Sequence, residues 1–364
     1  MTATARASVQ IDDQRMEMRE LPIPDELPPG YALLRVEATG ICGTDVSQYD
    51  GAIRRIMGYE YPNILGHEAV GHLAAVTPEA ASRWGLDVGA RVAVEPSATC
   101  GRCVFCREHQ TTLCRERFIY GFESTSHLPG LWGAYAEYMV LHPDSRLFSI
   151  PESMTIEDAC LFNAFGGGFE WGAVVPETNA GDDVVIIGPG LRAMASVMAA
   201  KEAGARNIIV VGRARNPLKV EIVEEFGATH FVKLGAEDVH ARVMEITGGL
   251  GAHRVIDYVP HVTDTFDLAL AVARPGGTVV PVGFKGHEFP FSVDRLCEKK
   301  LTVKGVTGPS QEGYDRGIAA LLSGRYPLDL LHTHRFTFDR AEEAILTLGG
   351  RVEGEDPICI TVTA

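Results

Sequence analysis

Four cysteines within fifteen residues constrain this chain more than any other feature of its sequence. They are Cys100, Cys103, Cys106 and Cys114, spaced C-x2-C-x2-C-x7-C. Thiolates are soft ligands, and four of them close a tetrahedral shell around Zn²⁺. The alternative, a loop of free or disulfide-bonded cysteines, is disfavoured because disulfides need a narrow Cβ geometry that such tight spacing does not suit. The pattern therefore predicts a closed, structural zinc site in a lobe over residues 95–118.

Length, charge and hydropathy narrow the class of protein. A chain of 364 residues suggests two domains. The net charge of −15 argues against a nucleic-acid surface or a basic membrane patch. The sequence has neither an apolar run near the ~20 residues of a membrane helix nor an apolar signal core. Clustered cysteines then indicate metal binding in a reducing compartment, so we expect a cytoplasmic protein without nucleic-acid or membrane partners.

A cysteine and a histidine on two glycine-bounded turns form a second candidate metal site. Cys42 lies between Gly40 and Gly43, and His67 follows about 25 residues later, directly after a glycine. A ligating histidine usually needs a carboxylate or carbonyl on its other ring nitrogen, and Asp45 and Glu68 are near in sequence. A buried thiol and an ordinary loop histidine would explain either residue alone. Both together, beside a four-cysteine lobe, favour a metal.

A strand, a glycine turn, a helix and a second strand follow one another over residues 183–211. The turn carries the pattern Gly188-x-Gly190-x-x-Ala193 in a βαβ unit, the setting that a dinucleotide fingerprint requires. Gly188, Gly190, Leu191 and Arg192 are therefore candidate cofactor-binding residues. Strands and helices keep alternating to about residue 283, which predicts a parallel, doubly wound Rossmann-type sheet.

These patterns predict an α/β protein of two domains. Residues 1–155 are expected to form a β-rich, partly open barrel that carries the zinc lobe, because prolines and glycines punctuate short strands there. Residues 156–298 are expected to form the dinucleotide-binding domain. Residues 299–364 are expected to return to the first domain through a last strand over 358–363.

Five motifs, in their order and spacing, resemble the zinc-dependent medium-chain dehydrogenase/reductase family, the alcohol and polyol dehydrogenases. They are GICGTD at 40–45, GHEAVG at 66–71, the four-cysteine lobe, GAYAEY at 133–138 and GPG at 188–190. The resemblance covers essentially the whole chain. It implies a GroES-like catalytic domain and hydride transfer between NAD(P) and a small alcohol, aldehyde or ketone. It also implies a homodimer or homotetramer paired through the edge of the nucleotide-domain sheet.

The resemblance also implies roles for the second metal site. Cys42 and His67 would bind a catalytic zinc, Glu68 would lie in or next to the shell, and Asp45 would orient His67. The third ligand of the family, a Cys or a Glu, corresponds here to Asn163, whose amide oxygen is a weak, neutral ligand. Three interpretations stay open: Asn163 coordinates, Glu68 completes the shell, or the site holds zinc loosely.

The proton route implied by the family begins at a hydroxyl two residues after the cysteine ligand. Thr44 would take the proton from the alcohol. Related enzymes often carry a histidine five residues after the cysteine, and this chain has Ser47 there. The relay is therefore expected to be shorter, to run through Ser47 and water, or to use another group.

The residues after the second strand of the βαβ unit bear on the choice of cofactor. The acidic residue expected there to hold the adenosine ribose is replaced by Gly212, followed by Arg213 and Arg215. A small residue with adjacent arginines suits a 2′-phosphate, which predicts a preference for NADP(H) over NAD(H). The alternative is that the arginines are solvated loop charges.

Two other functions remain open on the sequence alone. Asn163 motivates a zinc-free, NADPH-dependent reductase of activated C=C bonds on the same fold, and a non-catalytic nucleotide-binding protein is the third alternative.

The sequence does not identify the substrate. Five aromatic residues could line an apolar pocket or simply pack in the core: Tyr49, Phe118, Tyr120, Phe122 and Trp132.

Overall fold

A computed structural model describes residues 3–213 and 217–364 and divides the chain into two compact units. Unit 1 comprises Met1–Asn163 and His332–Ala364, and unit 2 comprises Ala164–Leu331. Unit 2 is thus an insertion between two parts of unit 1. Its limits lie at 164 and 332, whereas the sequence suggested domain limits at 156 and 299.

The first part of unit 1 consists of short strands separated by turns and short helices. Its strands are β1 (Thr4–Asp12), β2 (Arg15–Pro22), β3 (Ala32–Gly40), β4 (Asn63–Ile64), β5 (Ala69–Val76), β6 (Arg91–Val94), β7 (Ser97–Ala98), β8 (Phe118–Ile119), β9 (Tyr138–Leu141) and β10 (Leu147–Ser149). Its helices are α1 (Gly43–Tyr49), α2 (Arg54–Met57), α3 (Pro78–Trp84), α4 (Val104–Arg107) and α5 (Ile156–Ala159).

Unit 2 alternates helices and strands, and α6 (Phe162–Phe169) leads into it. Its strands are β11 (Asp183–Ile187), β12 (Asn207–Gly212), β13 (His230–Lys233), β14 (Ala252–Asp257), β15 (Ala273–Pro281) and β16 (Thr302–Val303). Its helices are α7 (Leu191–Glu202), α8 (Pro217–Phe226), α9 (Val239–Ile246), α10 (Asp264–Val272), α11 (Val293–Lys299) and α12 (Gln311–Leu322).

The chain returns to unit 1 through β17 (His332–Thr337), α13 (Ala341–Leu348) and β18 (Cys359–Thr363). β18 pairs antiparallel with β3 and parallel with β17. The described sheet then has the order β10-β6-β5-β3-β18-β17, with β9 also on β3, and a smaller sheet has the order β2-β1-β4. The C-terminal strand therefore lies beside the strand that leads to Cys42.

Apolar side chains from the strands build the main core of unit 1. In β1, Ala5, Ala7 and Val9 are fully buried and point to one face of the strand, because successive side chains point to opposite faces. They join a cluster that includes Tyr120, Trp132 and the β9 and β18 residues. Within the described ranges, no helix is long and apolar enough to cross a membrane.

The sheet of unit 2 is parallel throughout, in the order β13-β12-β11-β14-β15-β16. Val184–Ile187 of β11 are all buried, as expected for a strand covered on both faces. This confirms the predicted doubly wound fold. β16 and α12 extend unit 2 beyond residue 299, since β16 adds a strand to the sheet and α12 packs on the segment after α6.

Candidate active site and metal centres

The four lobe cysteines converge on one point. Sγ of Cys103 lies 3.5 Å from Sγ of Cys106, and Sγ of Cys100 lies 3.5 Å from Cys114 and 4.0 Å from Cys106. All four sulfur atoms lie within 4.8 Å of one another. Sulfur atoms around a single zinc at about 2.3 Å are about 3.8 Å apart, so the donor set and its spacing fit a four-thiolate zinc.

The electrostatics of the lobe also favour a cation. The pKa of Cys103 is lowered to about 6, chiefly by a hydrogen bond from the backbone N–H of Cys106. Burial raises the pKa of Cys106 to about 12. The Cys103 thiolate therefore forms readily, whereas the Cys106 thiolate forms at neutral pH only if a positive charge offsets its burial. A divalent cation at the centre of the four sulfurs supplies that charge.

Cys42 is held at the beginning of α1 by a reciprocal cap. Its backbone N–H donates to Oδ2 of Asp45 at 2.9 Å, and its Sγ accepts from the backbone N–H of Thr44 at 3.3 Å. Both bonds satisfy amides that a helix N-terminus leaves without partners. The cap fixes the orientation of the thiol.

His67 lies between Cys42 and Asp45. Its Nε2 is 3.2 Å from Sγ of Cys42, and its Nδ1 is 3.4 Å from Oδ1 of Asp45. With the ring proton on Nδ1 facing Asp45, the Nε2 lone pair and the thiolate converge. One zinc can contact both atoms, because its bonds to nitrogen and sulfur are about 2.1 and 2.3 Å.

The surroundings of His67 attract positive charge. Burial lowers the pKa of His67, but the charges of Cys42 and Asp45 outweigh it and raise this pKa well above the ordinary value. Tyr135 is a further neighbour that the sequence did not point to as a site residue. Its ring is fully buried, and burial, followed by the charges of Asp45 and Cys42, raises its pKa, so the phenol stays neutral. A pocket that raises the pKa of an imidazole in this way stabilises positive charge beside it.

Asn163 and Glu68 form a buried pair beside this centre. Nδ2 of Asn163, in the first turn of α6, donates to Oε1 of Glu68 at 2.6 Å, and both residues are 3% exposed. Glu68 Oε2 lies against Gly40, where a Cβ atom would approach it to 2.6 Å. The group of ligand atoms within 4.8 Å of one another comprises Cys42, Asp45 and His67, whereas Glu68 faces the amide.

Thr44 and Ser47, the predicted proton-relay residues, both lie on α1 and are both partly exposed. Residues three apart on a helix are neighbours on one face. Thr44 and Ser47 therefore lie on one face of α1, the helix that Cys42 caps.

In unit 2, the glycine turn joins β11 to α7. Gly188 has φ +96°, and Gly190 caps α7, whose first residues are Leu191 and Arg192. The guanidinium carbon of Arg192 lies 5.6 Å from the ring centre of Trp171. The N-terminus of this helix presents backbone N–H groups suited to a pyrophosphate.

Gly212 ends β12, and its backbone closely approaches the glycine turn. A Cβ atom at this position would lie 2.7 Å from Cδ of Pro189 and 3.2 Å from Cζ of Phe231. No acidic side chain can occupy this position without a shift of the turn. Arg213 is exposed, and Arg215 lies outside the described residues.

The five aromatic candidates fall into two groups. Tyr49, Tyr120 and Trp132 belong to the main core of unit 1, and Phe118 packs against it. Phe122 is separate, because it lies in a small cluster with its ring centre 6.3 Å from that of His67.

Comparison with known proteins agrees with this geometry. The profile of the alcohol dehydrogenase GroES-like domain matches residues 28–152, and that of the zinc-binding dehydrogenase domain matches residues 193–323. The "Probable alcohol dehydrogenase adh" of Mycobacterium tuberculosis (strain ATCC 25618 / H37Rv) is 38% identical over 98% of this chain and 97% of its own. The sorbitol dehydrogenase of Bacillus subtilis (strain 168) is 32% identical over 93% and 92% of the two chains. The chain belongs to the zinc-dependent medium-chain dehydrogenase/reductase family.

Solved structures are similar over the whole chain. The alcohol dehydrogenase of Thermotoga maritima has a TM-score of 0.87 and 26% identity, covering 99% of both chains. A zinc-binding dehydrogenase of Sinorhizobium meliloti 1021, bound to NADP, has a TM-score of 0.86 and 25% identity, covering 100% of both. The predicted family, fold class and enzyme class are confirmed: this dehydrogenase is a zinc-dependent oxidoreductase that acts on a small alcohol with a nicotinamide cofactor.

The four-cysteine lobe generates a prediction about stability. Cys103→Ser should remove one zinc per chain and lower Tm, because a closed shell loses a ligand while the Cys42 centre is untouched. Elemental analysis and thermal unfolding measure both effects. The control is Cys297→Ser, an exposed cysteine outside the lobe, which should change neither. Loss of turnover in Cys103→Ser protein that stays folded would contradict the structural role.

Proposed function

We propose that this dehydrogenase interconverts an alcohol and an aldehyde or ketone with NADP(H) as its preferred cofactor, at a zinc held by Cys42, His67 and Asn163. The observation that carries the proposal is the 3.2 Å approach of the Cys42 thiol to Nε2 of His67 in a buried pocket beside Asp45. Zinc in this position supplies Lewis acidity that favours the alkoxide form of an alcohol, and the nicotinamide supplies the hydride acceptor.

Asn163 is the proposed third ligand through Oδ1, the atom of an amide that carries lone pairs. Its Nδ2 donates to Glu68 at 2.6 Å, which fixes the plane of the amide. A carboxylate that accepts a hydrogen bond from Nδ2 also polarises the amide and makes Oδ1 more negative. A carboxylate bonded to the second ring nitrogen of a ligating histidine raises its basicity in the same way. Glu68 therefore orients and strengthens this ligand, and Asp45 does the same for His67.

Thr44 is the proposed first proton acceptor, and Ser47 is the proposed next member of the route. Thr44 is two residues from Cys42, so its hydroxyl lies at the same end of α1 as the thiol. Ser47 follows one helical turn later on the same face. Both are partly exposed, so a proton passed between them reaches water without another histidine.

The preference for NADP(H) is supported at the end of β12. The site of the ribose-binding carboxylate is blocked at Gly212 by Pro189 and Phe231. The next residue, Arg213, offers a planar guanidinium, which binds phosphate bidentately. The Sinorhizobium structure that carries NADP shares the fold at 25% identity.

A homodimer or homotetramer is the proposed assembly. β16 ends the described sheet, and both of its residues are exposed. Phe284, Phe291 and Val293 of the neighbouring segment are exposed apolar residues. An exposed strand edge with apolar residues beside it is suited to pairing with a second copy. We also propose a reducing, cytoplasmic location, because both metal centres need free thiols.

Replacement of Arg213 tests the choice of cofactor. Arg213→Ala should lower kcat/KM for NADP⁺ by about 10–100-fold and leave that for NAD⁺ nearly unchanged, because a charge-assisted hydrogen bond to the 2′-phosphate is lost. Initial rates with both cofactors give the ratio. Arg242→Ala removes another exposed arginine of unit 2, paired with Glu245, and should leave the ratio as it is. A wild-type preference for NAD⁺ that survives Arg213→Ala would refute the proposal.

Replacement of Asn163 tests the third ligand. Asn163→Ala should weaken zinc affinity at the Cys42 centre by at least about 10-fold, and Asn163→Cys should strengthen it, because a thiolate replaces a neutral oxygen. Competition with a chromogenic chelator measures this without turnover. Cys160→Ala, a change to a buried thiol three residues away, is the control and should retain the metal. If Asn163→Ala binds zinc normally while Glu68→Gln releases it, Glu68 is the ligand instead.

A further inference from the structure

A small apolar cluster lies beside His67, apart from the main core of unit 1. Its buried members are Ile53, Tyr59 and Phe122, which we call the apolar wall. The Phe122 ring centre is 6.3 Å from that of His67, with the two planes inclined by 44°. The Tyr59 ring meets Phe122 edge-on at 5.5 Å. The wall therefore stands directly next to a proposed metal ligand.

Buried amides fix the backbone that carries Phe122. The carbonyl of Gly121 accepts from Nε2 of Gln48 at 2.6 Å and from Nδ2 of Asn63 at 2.8 Å, and both amides are fully buried. Gly121 has φ +82°, and a Cβ there would lie 3.0 Å from the carbonyl oxygen of Gly66. The segment before Phe122 is thus packed against the turn before His67, which sets the position of the ring relative to the imidazole.

The wall presents carbon, because its hydroxyl groups are directed elsewhere. Tyr59 Oη donates to the carbonyl of Gln48 at 2.8 Å. Tyr61, which packs against the wall, donates to Oδ1 of Asp13 at 2.5 Å. Ile53 and Phe122 have no polar side-chain atoms. A substrate group against this surface meets hydrocarbon.

The side chain of Phe122 retains a small accessible surface, unlike those of Tyr120 and Tyr135. It is 7% exposed, whereas Tyr120 and Tyr135 are 0% exposed. Cys42 and His67 are likewise slightly open, at 9% and 6%. Phe122 and the two proposed metal ligands therefore all retain some accessible surface.

We propose that Phe122 is a specificity-determining residue that selects alcohols and ketones with an apolar group on the carbinol carbon, and that disfavours polyols. The inference rests on the proposed metal site at Cys42 and His67, which places the carbinol oxygen beside His67. A neighbouring hydroxyl placed against the wall would lose its hydrogen bonds to water without replacement. Discrimination of this kind amounts to about 10–100-fold in kcat/KM.

The test compares two substrates that differ by one hydroxyl, butan-2-ol and butane-2,3-diol, with the zinc-loaded full chain and NADP⁺ or NAD⁺. The wild type should favour butan-2-ol by at least about 10-fold in kcat/KM. Phe122→Thr should lower that ratio at least about 10-fold, because it removes the ring and introduces a hydroxyl. Phe122→Leu keeps an apolar surface and should retain most of the preference.

The control is Phe118→Leu, which alters an aromatic residue four positions away that packs on Tyr120 and Trp132, and it should leave the ratio unchanged. Zinc content and Tm verify that each variant is loaded and folded. Phe122→Gln, which places an amide where the ring was and should also lower the ratio, carries the test if Phe122→Thr does not fold. A wild type that prefers the diol overturns the inference, as does an unchanged ratio in a loaded Phe122→Thr or Phe122→Gln variant. Absence of turnover with every alcohol would refute the proposed function itself, whereas turnover of diols alone refutes only the role of the wall.

Discussion

The close approach of the Cys42 thiol to the His67 imidazole is the interaction on which the proposed active site of unit 1 depends. The two atoms lie 3.2 Å apart, share a hydrogen bond and are almost fully buried next to Asp45, so a metal ion that replaces the shared proton would find both ligand atoms already in place. The helix cap at α1 and the carboxylate behind His67 stabilise this arrangement before any ion binds. The fold thus places buried polar groups where they hold the proposed metal ligands in position before the reaction, as metal chemistry requires.

Glycine makes this convergence sterically possible. Gly66 has φ +85°, and a Cβ there would lie 2.5 Å from the Tyr135 ring, so the turn before His67 fits only without a side chain. The same turn contacts Gly121, which places Phe122 next to the imidazole. One close backbone approach therefore links the proposed metal ligand His67, the buried Tyr135 and the surface that the substrate is proposed to meet.

The sequence predicts several parts of these sites, because metal ligands and glycine turns recur at fixed spacings. The lobe cysteines, the Cys42–His67 pair and the turn at Gly188 were all predicted from local patterns. The Asn163–Glu68 pair was not, since 95 residues separate its members and nothing local indicates that the amide donates to the carboxylate. Nor does sequence tell Phe122 from Phe118, because only tertiary packing decides which ring joins the core.

Zinc content per chain, measured by elemental analysis on the wild type and on Cys42→Ala, tests the central claim most directly. The account predicts two zinc ions in the wild type, one in the lobe and one at Cys42 and His67. It predicts one in Cys42→Ala, because a centre that loses its only thiolate cannot retain the metal on a histidine and a neutral amide. One zinc in both proteins would contradict it, since the Cys42 centre would then hold no metal in the native enzyme.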